Sequence, residues 1–363
     1  MNNGVGKIKS GQLSVGAYAI LPIGNKNILG KSWVKSTEIL PRTAALVRKL
    51  YPLSPNDILS GLVWTTATAN FGTSNVYSVA YGNNLWVAVG GLGGLRTSTD
   101  AVTWTTQTSA FGATTDINTV AYGNSLWVAA GNTGQLRTST DAITWTTQTS
   151  NFGITDIMLV AYGNNLWVAG GNTGQLRTST DAITWTTRTS NFGTTAIYSV
   201  AYGNSLWVAG GNTGQLRTST DAITWTTRTS NFGTTAVYSV AYGNSLWVAG
   251  GNTGQLRTST DAITWTTRTP NFGTTAINWV AYGNNLWFAG GDGGQIRTST
   301  DAATWTTRTS GYSTAIRFVT NNNNITVIAG NSGLLRTLDF ARTQIQAPQV
   351  ETPTGYEAWV KIR

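Results

Sequence analysis

One phrase of about forty residues recurs along most of the chain, most often as TSNFGTTAIYSVAYGNSLWVAGGNTGQLRTSTDAITWTTR. Its tryptophan falls at Trp64, Trp104, Trp145, Trp185, Trp225, Trp265 and Trp305, always 40 or 41 residues after the one before. A fixed period in this range restricts a chain to propellers, solenoids or arrays, because a single copy cannot bury its own apolar face. The interior of the copy decides among them. Four short strand-like runs, at 197–201, 206–210, 215–218 and 224–227 in one mid-chain copy, are separated by YGNS, GNTG and STDA. Such turn-rich spacers fit a four-stranded meander. The run LWVAGG is apolar on both alternating faces, so its sheet is packed on both sides, as a stacked propeller blade is. Its small Ala and Gly positions are expected to let backbones crowd near the central axis.

The two end copies are broken in complementary ways. GLVWTTATANFG has the tryptophan run but no strands before it, and AIRFVTNNNNITVIAGNSGLLRTLDF has three strands and no such run. Residues 62–67 are therefore expected to supply the outer strand of the blade made by 315–340. The fold class is all-β, a seven-bladed β-propeller over 62–340 with its ring sealed by both ends. Sealing removes the open interface that a linear array leaves. Residues 1–61 and 341–363 then leave the ring at the same blade. GQLSVGAYAILPIG and GYEAWVKIR read as strands, and TEILPRTAALVRKLYPL holds a short helix after Pro41, so the two segments are expected to form one accessory module used for attachment.

The segment between the third and fourth runs, STDAITW, carries an aspartate at Asp100, Asp141, Asp181, Asp221, Asp261 and Asp301, with Asp339 in the last copy. An aspartate in a turn accepts backbone N–H groups two or so residues on and locks it. The following Trp is then an apolar plug between blades. The arginine four residues earlier, Arg96, Arg137, Arg177, Arg217, Arg257 or Arg297, is expected to brace the same turn electrostatically. STDAITW resembles the Asp-box, S-x-D-x-G-x-T-W, of sialidase-type propellers, one residue shorter and without the glycine. That shorter form is similar to the repeats of photosystem II assembly factor-like propellers and of phage-encoded repeat proteins. The resemblance spans roughly 62–340 and implies the fold; the aspartates are structural.

Composition removes several chemistries. There is no cysteine and no histidine, so thiolate metal sites and the commonest general base are excluded. No metal and no cofactor are expected. Residues 61–340 carry twelve arginines against ten aspartates, so the high pI comes mainly from residues 1–60, with eight bases against Glu38 and Asp57. A nearly neutral ring is not a nucleic-acid groove, and no run reaches the length of a membrane span. The sialidase chemistry implied by the Asp-box needs a glutamate-paired tyrosine and an acid. No glutamate lies between Glu38 and Glu351, and beyond the turn aspartates the blades offer only Asp116, Asp156 and Asp292. Glycoside hydrolysis needs two placed carboxylates, so the chain is read as no enzyme.

Differences among near-identical copies mark where selection relaxed or specialised. They gather at the second position of the innermost run, Tyr77, Asn118, Met158, Tyr198, Tyr238, Asn278 and Arg317, and in the following loop, NTG in most copies. Both are expected on one face around the axis. Tyrosine stacks on a pyranose and an amide meets its hydroxyls, while Arg317 pairs with a carboxylate. A host-surface glycan is the ligand expected for Tyr77, Asn118, Tyr198, Tyr238, Asn278 and Arg317. The recurring Phe71, Phe111, Phe152, Phe192, Phe232 and Phe272 are read as packing between blades.

The function expected is non-catalytic recognition on a virion, as a tail-fibre or spike component resembling the phage-encoded repeat proteins. Its location would be the virion, with host cytoplasm during assembly. Other virion proteins, or a second copy of the chain, would meet 1–61 and 341–363. The alternatives are a capsid decoration protein and a cellular protein-binding scaffold or assembly factor.

Overall fold

Turn residues at every boundary fold the phrase into antiparallel strands. A computed structural model describes Tyr18–Pro22, Trp33–Lys35, residues 64–340 apart from Asn323, and Tyr356–Lys361. Seven four-stranded antiparallel sheets follow one another through Trp64–Asp339, the seven-bladed propeller expected. The fourth blade runs from its inner strand Ile197–Gly203 through Leu206–Gly211 and Leu216–Ser219 to its outer strand Thr226–Arg228. The inner strand extends two residues past the sequence expectation because Tyr202 and Gly203 still pair with Trp207 and Leu206. Asn204 and Ser205 turn that hairpin at φ 47° and 57°. Such left-handed values belong to the turn whose twist matches the flanking strands.

The seventh blade is a hybrid. Ile316–Asn321, Ile325–Gly330 and Leu335–Asp339 come from one end of the ring, and the outer strand Thr65–Thr66 from the other. Thr65 lies opposite Thr337 and Thr66 opposite Arg336, and the Ala67 N–H donates to the Leu335 carbonyl at 3.0 Å. The seam with the first blade is apolar: Val327, Ala329 and Leu335 share one cluster with Phe71, Val79, Trp86 and Trp104. Ser332 also donates its N–H to Asn75 Oδ1 at 3.1 Å. The ring is thus closed by strand pairing and by packing.

Each core lies between neighbouring blades. Val208 and Leu216 of the fourth blade pack with Phe232, Val237, Trp247 and Trp265 of the fifth. The phenylalanine before the first six inner strands, replaced by Tyr312 before the seventh, and the tryptophan after the first six aspartate turns fill these seams, and the Trp265 indole N–H is satisfied by the Ala262 carbonyl at 3.2 Å. A Cβ at Gly210 would sit 2.7 Å from Val237 of the next blade. The crowding that small residues permit is therefore between blades, not at the axis as expected. On the inner strands, the Ser199 hydroxyl accepts the Val240 N–H and the Ser239 hydroxyl accepts the Val280 N–H, both at 3.0 Å.

The second compact unit comprises Met1–Val63 and Phe340–Arg363. In it Tyr18–Pro22 and Trp33–Lys35 flank Tyr356–Lys361 in an antiparallel three-stranded sheet drawn from both chain ends. The helix expected after Pro41 lies outside the described residues.

Candidate functional site

Strand direction sorts the loops onto two faces. Ile197, near the start of the inner strand, pairs with Gly211 at the end of the second strand. The start of each inner strand and the loop after the second strand therefore share one face. The hairpins and the aspartate turns lie on the other.

On the first face every blade carries a β-bulge, and the bulges fall on the variable positions. Pairing slips by one residue between 76 and 78, 117 and 119, 157 and 159, 197 and 199, 237 and 239, 277 and 279, and 316 and 318. The residues left over are Tyr77, Asn118, Met158, Tyr198, Tyr238, Asn278 and Arg317. A bulge leaves its extra residue unpaired and re-aims its side chain, so seven equivalent points of a constant frame present tyrosine three times, asparagine twice, and methionine and arginine once each. Ile-Tyr-Ser-Val reads in the sequence as an unbroken strand, and nothing in it signals the slip.

These side chains meet the neighbouring loops as expected. Asn118 Nδ2 donates to Asn132 Oδ1 at 2.9 Å and to the Ile157 carbonyl at 3.0 Å. Asn278 Nδ2 does the same with Asp292 Oδ1 at 2.8 Å and the Ile316 carbonyl at 3.0 Å. Both amide nitrogens are thus already engaged in bracing the rim. Arg317 Nε donates to Asn331 Oδ1 at 2.9 Å, and Tyr77 reaches Asp116 Oδ2 at 3.4 Å. Tyr198 and Tyr238 stand edge to face with centroids 5.5 Å apart. Burial raises the Tyr238 phenol above its ordinary value, helped by Tyr198 and Asp292 and opposed by Arg317. Tyr198, Tyr238, Asp292 and Arg317 therefore share one electrostatic neighbourhood.

The aspartates on the opposite face are turn devices. Asp221 Oδ1 accepts the N–H groups of Ile223 and Thr224 at 2.8 Å and the Ser219 hydroxyl at 2.9 Å. The Thr144 and Ile143 N–H groups hold the Asp141 carboxyl down at about 2. Asp181, Asp221, Asp261 and Asp301 are lowered in the same way, led by Thr184, Thr224, Thr264 and Thr304. At Asp100 burial pushes upward, but Thr103 and Val102 still hold the group below its ordinary value.

The arginines do not brace these turns, contrary to expectation. The strand that carries Arg217 ends at Ser219 and the chain then bends into the aspartate turn. Arg217 instead points to the bulge face. Its Nη2 donates to the Asn191 carbonyl at 2.7 Å and to Gln215 Oε1, and its guanidinium lies 4.8 Å from the Phe192 ring centroid. It fastens the linker that leads into its own blade. Among the described residues no group of three or more Asp, Glu, His or Cys is placed to hold a metal ion.

No protein-family model matches the sequence, and no curated protein matches it. Solved structures match the fold. YCF48 bound to a D1 peptide is 15% identical with TM-score 0.64, over 77% of this chain and 95% of that one. YCF48 from Cyanidioschyzon merolae is 16% identical with TM-score 0.62, over 76% and 98%. The WD40 β-propeller domain of Doa1 is 12% identical with TM-score 0.64, over 78% and 99%. At such identities the likeness is one of fold: the chain is a seven-bladed β-propeller similar to these.

Proposed function

We propose that this propeller is a non-catalytic binding scaffold that holds a partner polypeptide on its bulge face. One observation carries the reading: seven bulges project side chains of four kinds, three Tyr, two Asn, one Met and one Arg, from otherwise near-identical blades. The opposite face varies only between similar groups, Asn or Ser in the hairpins and Ile, Val or Ala after the turn aspartates, whereas the bulge rim exchanges phenol, amide, thioether and guanidinium. Concentration on one rim, at the backbone irregularity best suited to aim a side chain, is the pattern of a recognition surface. The solved neighbour with a bound peptide, YCF48, supports the scaffold alternative over the tail-fibre expectation. The virion location and the glycan ligand have no comparable support. Absence of histidine and cysteine, and the engagement of the turn carboxylates by backbone N–H groups, support a non-catalytic role.

A photo-reactive phenylalanine analogue placed at Tyr198, and separately at Ile223 on the opposite face, tests this in the native cell. Crosslinks to one recurring protein from position 198 and none from 223 are expected. Crosslinks from 223 alone would reverse the assignment of the face. Capture of glycan rather than protein at 198 would restore the carbohydrate reading.

A further inference from the structure

Departures from the commonest copy are not spread evenly around the bulge face. Near the second and third blades they add an exposed aliphatic residue and half-buried acidic and thioether groups. Ile154 replaces the Thr, Ala or Ser found elsewhere and is 89% exposed. Two residues on, Asp156 stands where four other copies have alanine, and Met158 occupies the bulge. Asp156 Oδ1 accepts the Thr133 N–H at 2.9 Å, which ties it to the loop of the second blade. Among the described residues no lysine or arginine pairs with it.

That same Thr133 lines an open groove of about 450 Å³, together with Gln135, Arg137, Gln148, Asn151 and Gly153. Gly153 adjoins Ile154, so the groove runs from the outer strand of the second blade toward Ile154, Asp156 and Met158. Its outer end is uncharged because Gln148 sits there, with Nε2 on Thr138 Oγ1 at 2.8 Å. At the same perch Arg188, Arg228, Arg268 and Arg308 place a guanidinium on the third to sixth blades, each Nε on a threonine hydroxyl at 2.7 or 2.8 Å. Four sectors of the perimeter therefore carry a guanidinium that this one lacks, and the Arg137 that lines this groove is buried, held by Gln135 Oε1 and the Ala110 carbonyl over the Phe111 ring. The groove's inner end offers a half-buried carboxylate, which accepts from the Thr133 N–H and Asn172 Nδ2 but faces no cation among the described residues, beside the exposed Ile154.

We infer that the groove between the second and third blades docks an extended segment of a partner protein in which lysine or arginine alternates with aliphatic residues. The aliphatic groups cover Ile154 and Met158, the cation lies over Asp156, and the backbone crosses the polar groove. The inference rests on the bulge face being a protein-binding face.

The probe is a yeast-displayed library of short random peptides, selected on the full chain. The Ile154→Thr, Asp156→Ala double variant serves as comparison, because both residues already stand at these positions in other blades and the fold accepts them; equal melting temperatures check this. Selected peptides should be rich in lysine or arginine next to aliphatic residues. Their affinity should fall roughly tenfold or more in the double variant, and should weaken with salt. They should bind unchanged to Tyr198→Ala, Tyr238→Ala. Peptides that ignore the double variant but are lost with the tyrosine pair would overturn the groove assignment and leave the protein-binding reading standing. Failure to select any peptide would sink both.

Discussion

Replacing Asp221 by alanine isolates what a turn carboxylate contributes to the ring. The substitution removes an acceptor of two backbone N–H groups at 2.8 Å. A hydrogen bond to a charged group is worth roughly 1.5–3 kcal/mol when buried. Here the carboxylate and Ile223 are exposed, so water takes up the released N–H groups, and the loss falls near the usual capping value of about 1 kcal/mol. In a domain of this size that lowers Tm by about 2 °C. The six aspartates Asp100, Asp141, Asp181, Asp221, Asp261 and Asp301 sit in separate blades, so removing all of them should cost about 6 kcal/mol, or roughly 10 °C. The pH dependence has a definite sign. A carboxyl whose folded pKa is depressed contributes fully above its ordinary value of 3.8 and loses that contribution as pH falls through the folded value, about 2 at Asp141. Calorimetry of wild type and the six-fold variant should therefore show a gap at neutral pH that closes between those two values. Asp221→Asn keeps an oxygen acceptor without the charge, so it should lose less at neutral pH, and its gap to wild type should narrow over the same interval because the titrating group is the wild-type carboxyl. A gap as wide at the acid end as at neutral pH would refute the reasoning.

Three further substitutions or deletions probe the packing. Removing residues 1–67 takes the outer strand from the seventh blade, and thermal melting should drop for the whole ring in one transition; an unchanged Tm would contradict closure by the hybrid blade. Gly203→Ala puts a Cβ 2.3 Å from the Tyr242 ring and should cost about 1–3 kcal/mol in urea denaturation. Tyr242→Ala should relieve most of that cost, and strict additivity of the pair would mean the two do not touch. Arg217→Met keeps the aliphatic stem but loses the guanidinium over Phe192 and its bonds to Asn191 and Gln215, so a loss of about 2 kcal/mol is expected, against none if the arginine is merely solvated.

Much of the architecture was legible because repetition turns a weak local pattern into a strong one. The broken ends of GLVWTT and GLLRTLDF add up to one blade, and that arithmetic needs no coordinates. The turn role of Asp221 was legible from its spacing to Thr224. Side-chain direction was less so. That Arg217 reaches back to the Asn191 carbonyl and Phe192 rather than to Asp221 depends on the linker packed against it, which spacing along one strand does not show. The bulge at Tyr198 carries no sequence signal either, because it is a property of pairing between strands and Ile-Tyr-Ser-Val alternates normally. The groove beside Ile154 depends on which side chain is short at the end of an outer strand, Gln148 rather than Arg188. The residues are visible in sequence, but their convergence is not.

The same repetition explains how stability and recognition avoid competing. Trp207, Phe192 and Val237 fill seams, and their counterparts recur in nearly every copy because each seam must match the next. A change there has to be accepted by two blades at once. Tyr198 and its counterparts occupy the one inner-strand position released from ladder pairing, so each can change without breaking the strand ladder or the apolar filling of a seam, although Asn118 and Asn278 also brace the next blade. Amplifying the blade almost verbatim therefore multiplies a sound core and, with it, the number of independently adjustable points on one rim. A surface built this way gains specificity by substitution at the bulges and in the adjoining linkers, as Asp156 and Ile154 illustrate, and the closed ring holds all those points in fixed relation to one another.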